Sequence, residues 1–289
     1  MSATSLTWDG RSIPGPGGLP AVAVSLTGPS LAQARTQARS AIDAGADVLE
    51  LRVDLLEEAG ALAAPAPLDA ATAAAQVLEC LRGLREAIDT TDGADAGSPV
   101  LLTCRTAAEG GRAQLDDTAY GSLLRSVLDG LTDWAPERRP AAIDVEVQRD
   151  CLPQVCAQAH ALGVDVVASF HDFEATPADE VLEEVLARMA REGADLAKIA
   201  VWPTSADDVA RLLGVCARAT AGAGERSGLD VPVAAMSMGA LGAVSRVAPA
   251  FGTALTFAVV PDEQGQARAS APGQLPIQDV RRCLELLRV

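Results

Sequence analysis

The sequence predicts a single α/β domain, residues 1–289, folded as a (β/α)8 barrel, or TIM barrel. Eight short apolar runs alternate along the chain with longer Ala/Leu-rich stretches. Such alternation is typical of a parallel sheet covered by helices, and eight successive units favour a closed barrel over an open doubly wound sheet. A length of 289 residues, 49% of them hydrophobic, is enough to bury one such core.

The chain opens with a predicted β-hairpin. Asp9 and Gly10 separate Leu6–Trp8 from Arg11–Ile13, and an Asp-Gly pair between two short strand-like runs is typical of a type I′ turn. We assign residues 1–18 to this hairpin and its lead-in.

The barrel strands are predicted from eight runs that are rich in apolar residues and bounded by turn signals. They are Ala21–Ser25, Val48–Arg52, Val100–Arg105, Ala142–Glu146, Val166–His171, Leu196–Val201, Val231–Met236 and Ala254–Val259. A helix-like segment is expected after each strand, as in Leu31–Ala44, Asp179–Glu192 and Asp207–Ala221.

One segment, residues 57–98, is longer than a simple connection. Val77–Ile88 predicts a helix within it, whereas the Ala/Pro-rich stretch Ala59–Pro67 and the stretch Asp89–Ser98 predict flexible flanks.

The composition excludes several classes of function. A net charge of −16 at pH 7 repels nucleic-acid phosphates and anionic membranes, and no basic stripe offsets it. No apolar run reaches the roughly 18 residues of a membrane span, and the N-terminus lacks the apolar core of a signal peptide. We therefore expect a cytoplasmic protein without nucleic-acid or membrane partners. The six scattered cysteines form no CxxC pair, so they predict no metal site.

Polar residues occupy alternate positions at the carboxyl ends of four predicted strands; Glu50 and Arg52, for example, flank Leu51. Because side chains alternate across a strand, the apolar set packs under the helices and the polar set points into the barrel mouth, where barrel enzymes build active sites. The polar set comprises Glu50, Arg52, Thr103, Arg105, Asp144, Glu146, Ser169 and His171. A structural ion-pair network that only closes the barrel is the competing interpretation.

Lys198 is the only lysine among 23 basic residues, and it lies within the apolar run Leu196–Val201. Arginine can replace lysine wherever only a charge is needed, but it cannot act as a nucleophilic amine. We expect desolvation and nearby cations, Arg52, Arg105 or protonated His171, to favour the neutral amine, which attacks a ketone or an aldehyde.

His171 ends the strand that precedes the Lys198 strand. Adjacent parallel strands lie about 4.8 Å apart, so both side chains can reach one ligand. A base beside an imine is the apparatus for removing a proton next to a carbonyl. Two glycine-containing loops, Gly239–Arg246 and Ser270–Gln274, follow the last two strands and would supply a guanidinium and a mobile flap.

Seven ordered motifs resemble those of the type I 3-dehydroquinate dehydratases. They are ELRVD (Glu50–Asp54), TCRTAAEGG (Thr103–Gly111), IDVE (Ile143–Glu146), SFHDF with a following TP (Ser169–Phe173, Thr176–Pro177), KIAV (Lys198–Val201), MSMGALGAVSR (Met236–Arg246) and SAPGQ (Ser270–Gln274). The match extends from about Ala21 to Gln274, and seven motifs in order are far more specific than any one of them.

The resemblance implies a lyase of the shikimate pathway that converts 3-dehydroquinate to 3-dehydroshikimate without metal or organic cofactor. By similarity, Lys198 forms an imine with the ketone, His171 moves the protons, and Glu109 orients and tunes His171. The resemblance also implies that the N-terminal hairpin closes the barrel floor and that the protein is a homodimer.

The remaining site residues follow from the same resemblance. Substrate contacts are expected from Ser25, Glu50, Arg52, Arg105, Arg246, Ser270 and Gln274. Supporting positions are expected at Asp54, Asp144, Glu146, Met236 and Met238.

Two other functions stay open at this point. A class I aldolase also uses an imine-forming lysine on a barrel strand, but it would cleave a carbon–carbon bond. A non-catalytic barrel that binds a carboxylate would need no reactive lysine.

Overall fold

A ring of parallel strands forms the centre of the molecule in the computed structural model, which describes residues 4–63, 69–89, 97–221, 228–261 and 268–288. The strands are β1 Leu6–Trp8, β2 Arg11–Ile13, β3 Ala21–Leu26, β4 Val48–Arg52, β5 Val100–Thr103, β6 Ala142–Glu146, β7 Asp165–Asp172, β8 Leu196–Val201, β9 Val233–Ser237, β10 Leu255–Val259 and β11 Leu275–Pro276. The helices are α1 Leu31–Asp43, α2 Ala70–Asp89, α3 Asp117–Gly130, α4 Leu152–Ala161, α5 Asp179–Arg191, α6 Ala206–Ala219 and α7 Ile277–Leu286.

The eight predicted barrel strands are confirmed as β3 to β10, and each end lies within two residues of the prediction. Each strand from β3 to β8 pairs in parallel with the next, and β10 pairs in parallel with β3. The remaining gap, between β9 and β10, is bridged where the Ala254 amide donates to the Val233 carbonyl at 2.7 Å. This contact completes the ring.

Two apolar layers follow from the alternation of side chains along each strand. Inward-facing Val48, Leu101, Val167, Leu196 and Leu255 fill the lower half of the barrel. The alternate positions pack outward beneath the helices, and they include Leu49, Leu51, Ile143, Val145, Ala197 and Ile199. The lower layer is a solid plug, so a ligand can enter only from the upper end, at the strand carboxyl termini.

Local signals in the sequence set where several helices begin. Ser30 accepts a hydrogen bond from the amide of Gln33 at the start of α1, and Asp116 accepts one from Ala119 at the start of α3. Ser205 and Asp208 form a reciprocal capping box at the start of α6. These caps satisfy amides that the first helical turn leaves free.

The N-terminal hairpin closes the floor of the barrel, as the resemblance implied. Asp9 and Gly10 have φ angles of 45° and 80°, the positive values that a type I′ turn requires. Trp8 and Ile13 are buried against the inward-facing layer, and the Trp8 indole Nε1 donates to Asp165 Oδ2 at 2.8 Å.

The expectation of a helix after every strand is wrong for β9. Only two 3₁₀ turns, Ala243–Val247 and Pro249–Phe251, lie between β9 and β10. The chain folds back instead: the Ser237 amide donates to Ser245 Oγ at 2.9 Å, and a Cβ on Gly242 would collide with the Ser237 carbonyl. This close return leaves no room for a helical turn.

The predicted helix at Val77–Ile88 is confirmed and longer, as α2. Within the first predicted flexible flank, residues 59–63 belong to a 3₁₀ helix, Glu57–Ala63, with Ala59 and Leu62 buried. The rest of that flank, 64–67, and residues 90–96 of the second lie outside the described residues.

None of the helices in the described ranges is long and apolar enough to cross a membrane.

Candidate active site

The strand register brings the predicted polar residues into one layer above the apolar plug. Ser25 pairs with Glu50 across β3 and β4, and Ser169 pairs with both Glu146 and Lys198 across β6, β7 and β8. Residues at the same height and parity face the barrel axis together. The polar ring expected from the sequence is therefore present.

This layer lines a cavity at the upper end of the barrel. Its walls include the three predicted catalytic residues, Lys198, His171 and Glu109, and every predicted substrate contact except Ser25. The full lining is Glu50, Arg52, Arg105, Glu109, Gly110, His171, Phe173, Lys198, Ala200, Met236, Arg246, Phe257, Ser270, Ala271 and Gln274.

The Lys198 side chain is only 6% exposed and ends at the cavity wall. Its Nζ lies 3.5 Å from Asp144 Oδ2, 3.8 Å from Glu50 Oε1 and 4.6 Å from the centroid of the Phe257 ring. The nearest charged groups are thus carboxylates, whereas only nearby cations, which would favour the neutral amine, were expected from the sequence. These carboxylates stabilise a positive charge on this nitrogen.

His171 forms a dyad with Glu109, whose Oε2 lies 2.8 Å from His171 Nδ1. Burial, together with the positive charges of Arg105, Lys198 and Arg52, lowers the pKa of His171 well below its usual value. Burial also raises the pKa of Glu109 to about 8, assisted by the negative charges of Glu146 and Asp144 and opposed by Arg105. The dyad therefore holds one proton at neutral pH, and its histidine is not an independent cation.

Glu109 Oε1 is buried and has no hydrogen-bond partner within the described residues. Glu109 sits on a 3₁₀ turn, Ala107–Glu109, that follows β5. A buried carboxyl oxygen without a hydrogen-bond partner among the described residues favours the protonated acid, in agreement with the raised pKa.

Arg105 holds the acidic side of the cavity together. Its Nη2 donates to Asp144 Oδ1 at 2.7 Å, and its Nη1 contacts Ser169 Oγ at 2.9 Å, Glu146 at 3.2 Å and Glu109 at 3.4 Å. Burial alone would raise the pKa of Asp144, but Arg105, Lys198 and the Ser169 hydrogen bond together hold it below its usual value. Asp144 is therefore a fixed negative charge beneath Lys198.

Glu146 lies outside the cavity lining and is saturated by hydrogen bonds. It accepts from the Thr106 amide at 2.8 Å, from the Thr106 hydroxyl at 2.7 Å and from Arg149 Nε at 3.0 Å. These bonds attach the loop after β5, which carries Glu109, to the end of β6. Glu146 was expected to point into the barrel mouth, but it does not line the cavity and instead fixes the loop that carries Glu109.

Arg52 is fixed by a bidentate contact with Asp54, with Nε–Oδ1 and Nη2–Oδ2 distances of 2.9 Å each. Asp54 also accepts the amides of Arg105 and Arg112. This carboxylate therefore orients a cavity-lining guanidinium and tethers the loop after β5.

Arg246 contributes a guanidinium without an acidic partner in the described part of the chain. It is 1% exposed, its Nη2 donates to the Pro272 carbonyl at 3.1 Å, and its Nε has no partner among the residues that the structure describes. Burial lowers its pKa to about 10. A buried cation held in this way is a ready site for a ligand carboxylate.

The loop at Ser270–Gln274 is docked over the cavity. Ser270 Oγ donates to Ser25 Oγ at 2.8 Å, Gln274 Nε2 donates to Ser270 Oγ at 2.9 Å, and Ser25 Oγ donates to Glu50 Oε2. Ser25 therefore connects the loop to the polar ring rather than lining the cavity itself.

Two aromatic side chains that line the cavity, Phe257 and Phe173, were not predicted from the sequence. Phe257 lies two residues after the inward-facing Leu255 on β10, so the alternation of side chains could have identified it. Phe173 stacks on His171 at 6.5 Å between ring centroids, but it follows the strand end, where alternation gives no signal. Of the two predicted methionines, Met236 lines the cavity and Met238 is buried beside it.

Comparisons with known proteins give one consistent family. Residues 22–289 match the family model described as Type I 3-dehydroquinase. The 3-dehydroquinate dehydratase of Klebsiella pneumoniae subsp. pneumoniae is 37% identical over 270 residues, which cover 92% of each chain. That of Lactiplantibacillus plantarum is 36% identical over 274 residues, which cover 93% of each chain.

Solved structures show the same similarity. The 3-dehydroquinate dehydratase of Geobacillus kaustophilus superposes with a TM-score of 0.78 at 29% identity, covering 98% of this chain and 96% of the other. The type I enzyme of Clostridium difficile, crystallised with covalently modified comenic acid, gives the same TM-score and identity, covering 98% and 97% of the two chains.

Proposed function

This chain belongs to the type I 3-dehydroquinase family, and we propose that it removes water from 3-dehydroquinate through an imine formed on Lys198. One observation carries the proposal: the single lysine of the chain is buried at the wall of the same cavity as the His171–Glu109 dyad. The covalently modified comenic acid in the Clostridium difficile relative supports covalent chemistry in this family.

The charges around the cavity suit 3-dehydroquinate, a ring that carries one carboxylate, one ketone and several hydroxyls. Arg246, without an acidic partner in the described residues, is the expected contact for the carboxylate. Glu50, Arg52 and Arg105 are assigned to the ring hydroxyls, and Ser270 and Gln274 to the closing loop. Arg105 already donates to three carboxylates, so we expect it to act mainly by holding the acidic groups in place.

In the first step, the Lys198 amine attacks the ketone carbon and the ketone oxygen leaves as water. The ammonium must lose a proton before this attack, and the nearest acceptors are Asp144 at 3.5 Å and Glu50 at 3.8 Å. The protonated imine keeps one positive charge on the same nitrogen, so the two carboxylates stabilise it as they stabilise the ammonium.

In the second step, the protonated imine withdraws electrons and acidifies the adjacent carbon. His171 takes a proton from that carbon through Nε2, while Glu109 holds Nδ1. The ring hydroxyl on the next carbon then leaves with a proton from His171, as water. Hydrolysis of the imine uses one water, releases the conjugated ketone and restores the amine, so the net loss is one water.

Reductive trapping tests this proposal. We expect borohydride with 3-dehydroquinate to leave one ligand-sized mass increase on the peptide that contains Lys198, and incubation without borohydride to give a single conjugated product. Lys198→Arg keeps the charge near Asp144 and Glu50 but has no nucleophile, so trapping should vanish and kcat should fall at least about 1,000-fold. Ligand fragments, or an unlabelled Lys198, would contradict the imine dehydration.

The proposal extends to a homodimeric, cytoplasmic enzyme of the shikimate pathway. Three exposed apolar side chains on the β9–β10 connection, Leu241, Val244 and Phe251, support an interface with a second copy. Light scattering after gel filtration tests the dimer. Growth of an aromatic-amino-acid auxotroph that lacks the dehydratase tests the pathway.

A further inference from the structure

A second cavity opens directly beside the site. It shares Arg52, Gly110 and Ser270 with the reaction cavity. Its full lining is Thr27, Pro29, Arg52, Leu55, Gly110, Arg112, Arg268, Ala269 and Ser270. We call this space the entrance cavity, because the shared residues place it next to the cavity where chemistry is proposed.

The entrance cavity has a charge opposite to that of the whole chain. Three of its lining residues are arginines and, among the residues that the structure describes there, none is acidic. The chain as a whole carries a net charge of −16. A local positive region on a strongly negative protein focuses anions toward that region, which the rest of the surface repels.

Arg112 and Arg268 are exposed, and neither forms an ion pair with any side chain in the described ranges. Three other surface arginines are paired: Arg188, Arg191 and Arg218 each lie within 2.9 Å of a carboxylate oxygen. An unpaired guanidinium keeps its full capacity to attract and bind an anion.

The backbone at both arginines is held in place. The Arg112 amide donates to Asp54 Oδ2 at 3.1 Å, and the preceding Gly111 packs so closely that a Cβ there would collide with the Arg105 carbonyl. The Arg268 carbonyl accepts from Thr27 Oγ1 at 3.0 Å. The backbone at each arginine is therefore positioned at the entrance by contacts within the protein.

We infer that Arg112 and Arg268 form a capture site for the substrate carboxylate, which raises the rate of association without taking part in the chemistry. The inference rests on the proposed function, since it assigns a second contact to the same anionic substrate. The carboxylate would meet these exposed cations first and then pass Arg52 on its way to the buried Arg246. At physiological salt, charges attract an anion over a Debye length of about 8 Å, so the effect requires cations at the entrance.

The test compares Arg112→Glu/Arg268→Glu with a matched control, Arg11→Glu/Arg39→Glu. The control changes the net charge equally, and both of its residues are exposed. Arg11 lies in the floor hairpin, and Arg39 lies in the second half of α1, which returns toward the floor. We expect kcat/KM of the entrance variant to fall about three- to tenfold at about 10 mM salt, with kcat unchanged and the loss mostly abolished at about 0.5 M salt.

Arg112→Lys/Arg268→Lys should retain most of the wild-type kcat/KM, because capture depends on charge rather than on guanidinium geometry. The inference is overturned if the entrance variant matches the control, if kcat falls together with kcat/KM, or if the loss persists at high salt. Failure of the proposed function is distinguishable, since the wild-type protein would then neither convert 3-dehydroquinate nor form a borohydride adduct.

Discussion

Glu109→Gln tests how the protein shares one proton between Glu109 and His171. In the unfolded chain, the glutamate and histidine titrate near their ordinary values of 4.5 and 6.5. In the folded protein, burial raises the pKa of Glu109 to about 8 and lowers that of His171. The substitution removes the raised group and keeps the shape of the side chain.

The two shifts have opposite effects on stability. The raised Glu109 pKa gives stability that is complete below pH 4.5 and is lost as the pH rises through about 8. The lowered His171 pKa gives stability that is present above pH 6.5 and is lost as the pH falls. Between pH 4.5 and 6.5 the two effects oppose each other, because folding favours a proton on Glu109 and disfavours one on His171.

From pH 6.5 to about 8 the folded dyad retains a proton that the unfolded chain has released. The dyad should therefore reduce the free energy of unfolding by about 2 kcal/mol over that interval, at about 1.4 kcal/mol per pH unit. In Glu109→Gln only the histidine remains, and its contribution is constant above pH 6.5. The pH-dependent loss should be absent from the variant.

Activity should respond in the opposite direction. His171 can accept a substrate proton only after the dyad has lost its own, so wild-type kcat/KM should rise with pH toward about 8. In Glu109→Gln the lowered pKa of His171 alone sets the pH at which kcat/KM rises. This rise should shift down by at least about one pH unit, and the maximum value of kcat/KM should be lower.

Urea unfolding at pH 6.5 and 8 and absorbance of the conjugated product against pH are the two measurements. Glu137→Gln, which alters an exposed carboxyl, is the control. An equal change in unfolding free energy for wild type and Glu109→Gln, or an acid limb that does not move, would refute the shared proton.

Three further predictions concern the substrate cation, the floor and the loop. Arg246→Met should raise KM about 10- to 100-fold, because it removes a charge-assisted contact with the substrate carboxylate. It should also raise the unfolding free energy of the ligand-free protein by about 1–3 kcal/mol, because it removes a cation without an acidic partner in the described residues. Binding assays and urea titrations measure the two effects, and a less stable variant contradicts the argument. Trp8→Ala should lower the unfolding free energy by about 3–5 kcal/mol, because Trp8 is buried at the barrel floor. The kcat of the folded enzyme should be unchanged, since the floor lies away from the cavity. A changed kcat would show that the floor influences the site. Gly273→Ala should lower kcat/KM about tenfold by displacing the loop from Arg246 and Ser25. Gly273 has a φ of 82°, and a Cβ at this position would collide with the Gly239 carbonyl. Wild-type kinetics would mean that the docked loop is dispensable.

Much of the fold could be predicted because it depends on local pattern. The Asp9–Gly10 turn and the eight strands follow from turn chemistry and apolar runs, and the structure places every strand end within two residues. The connection after β9 could not be predicted, because the packing of Gly242 against Ser237 and the hydrogen bond from the Ser237 amide to Ser245 replace a helix there. Those contacts form only once the barrel is closed.

The side that each polar residue faces could also be predicted, but its partners could not. Alternation places Glu50 and Lys198 inside the barrel from the sequence alone. It does not determine that Asp144 and Glu50 are the nearest charges to the amine, or that Arg105 is already occupied by three carboxylates. Electrostatic partnership depends on distances of a few ångströms between strands that are far apart in sequence.

The sequence by itself determined the architecture, the inward-facing polar ring and the single amine, because backbone alternation and residue chemistry are local properties. Only the tertiary structure decided the protonation of the Glu109–His171 dyad, the isolation of Arg246 and the positive entrance formed by Arg112 and Arg268. These features arise from burial and from charges brought together by the closed barrel, and the strength of an interaction between charges is set by its distance and surroundings rather than by its position in the chain.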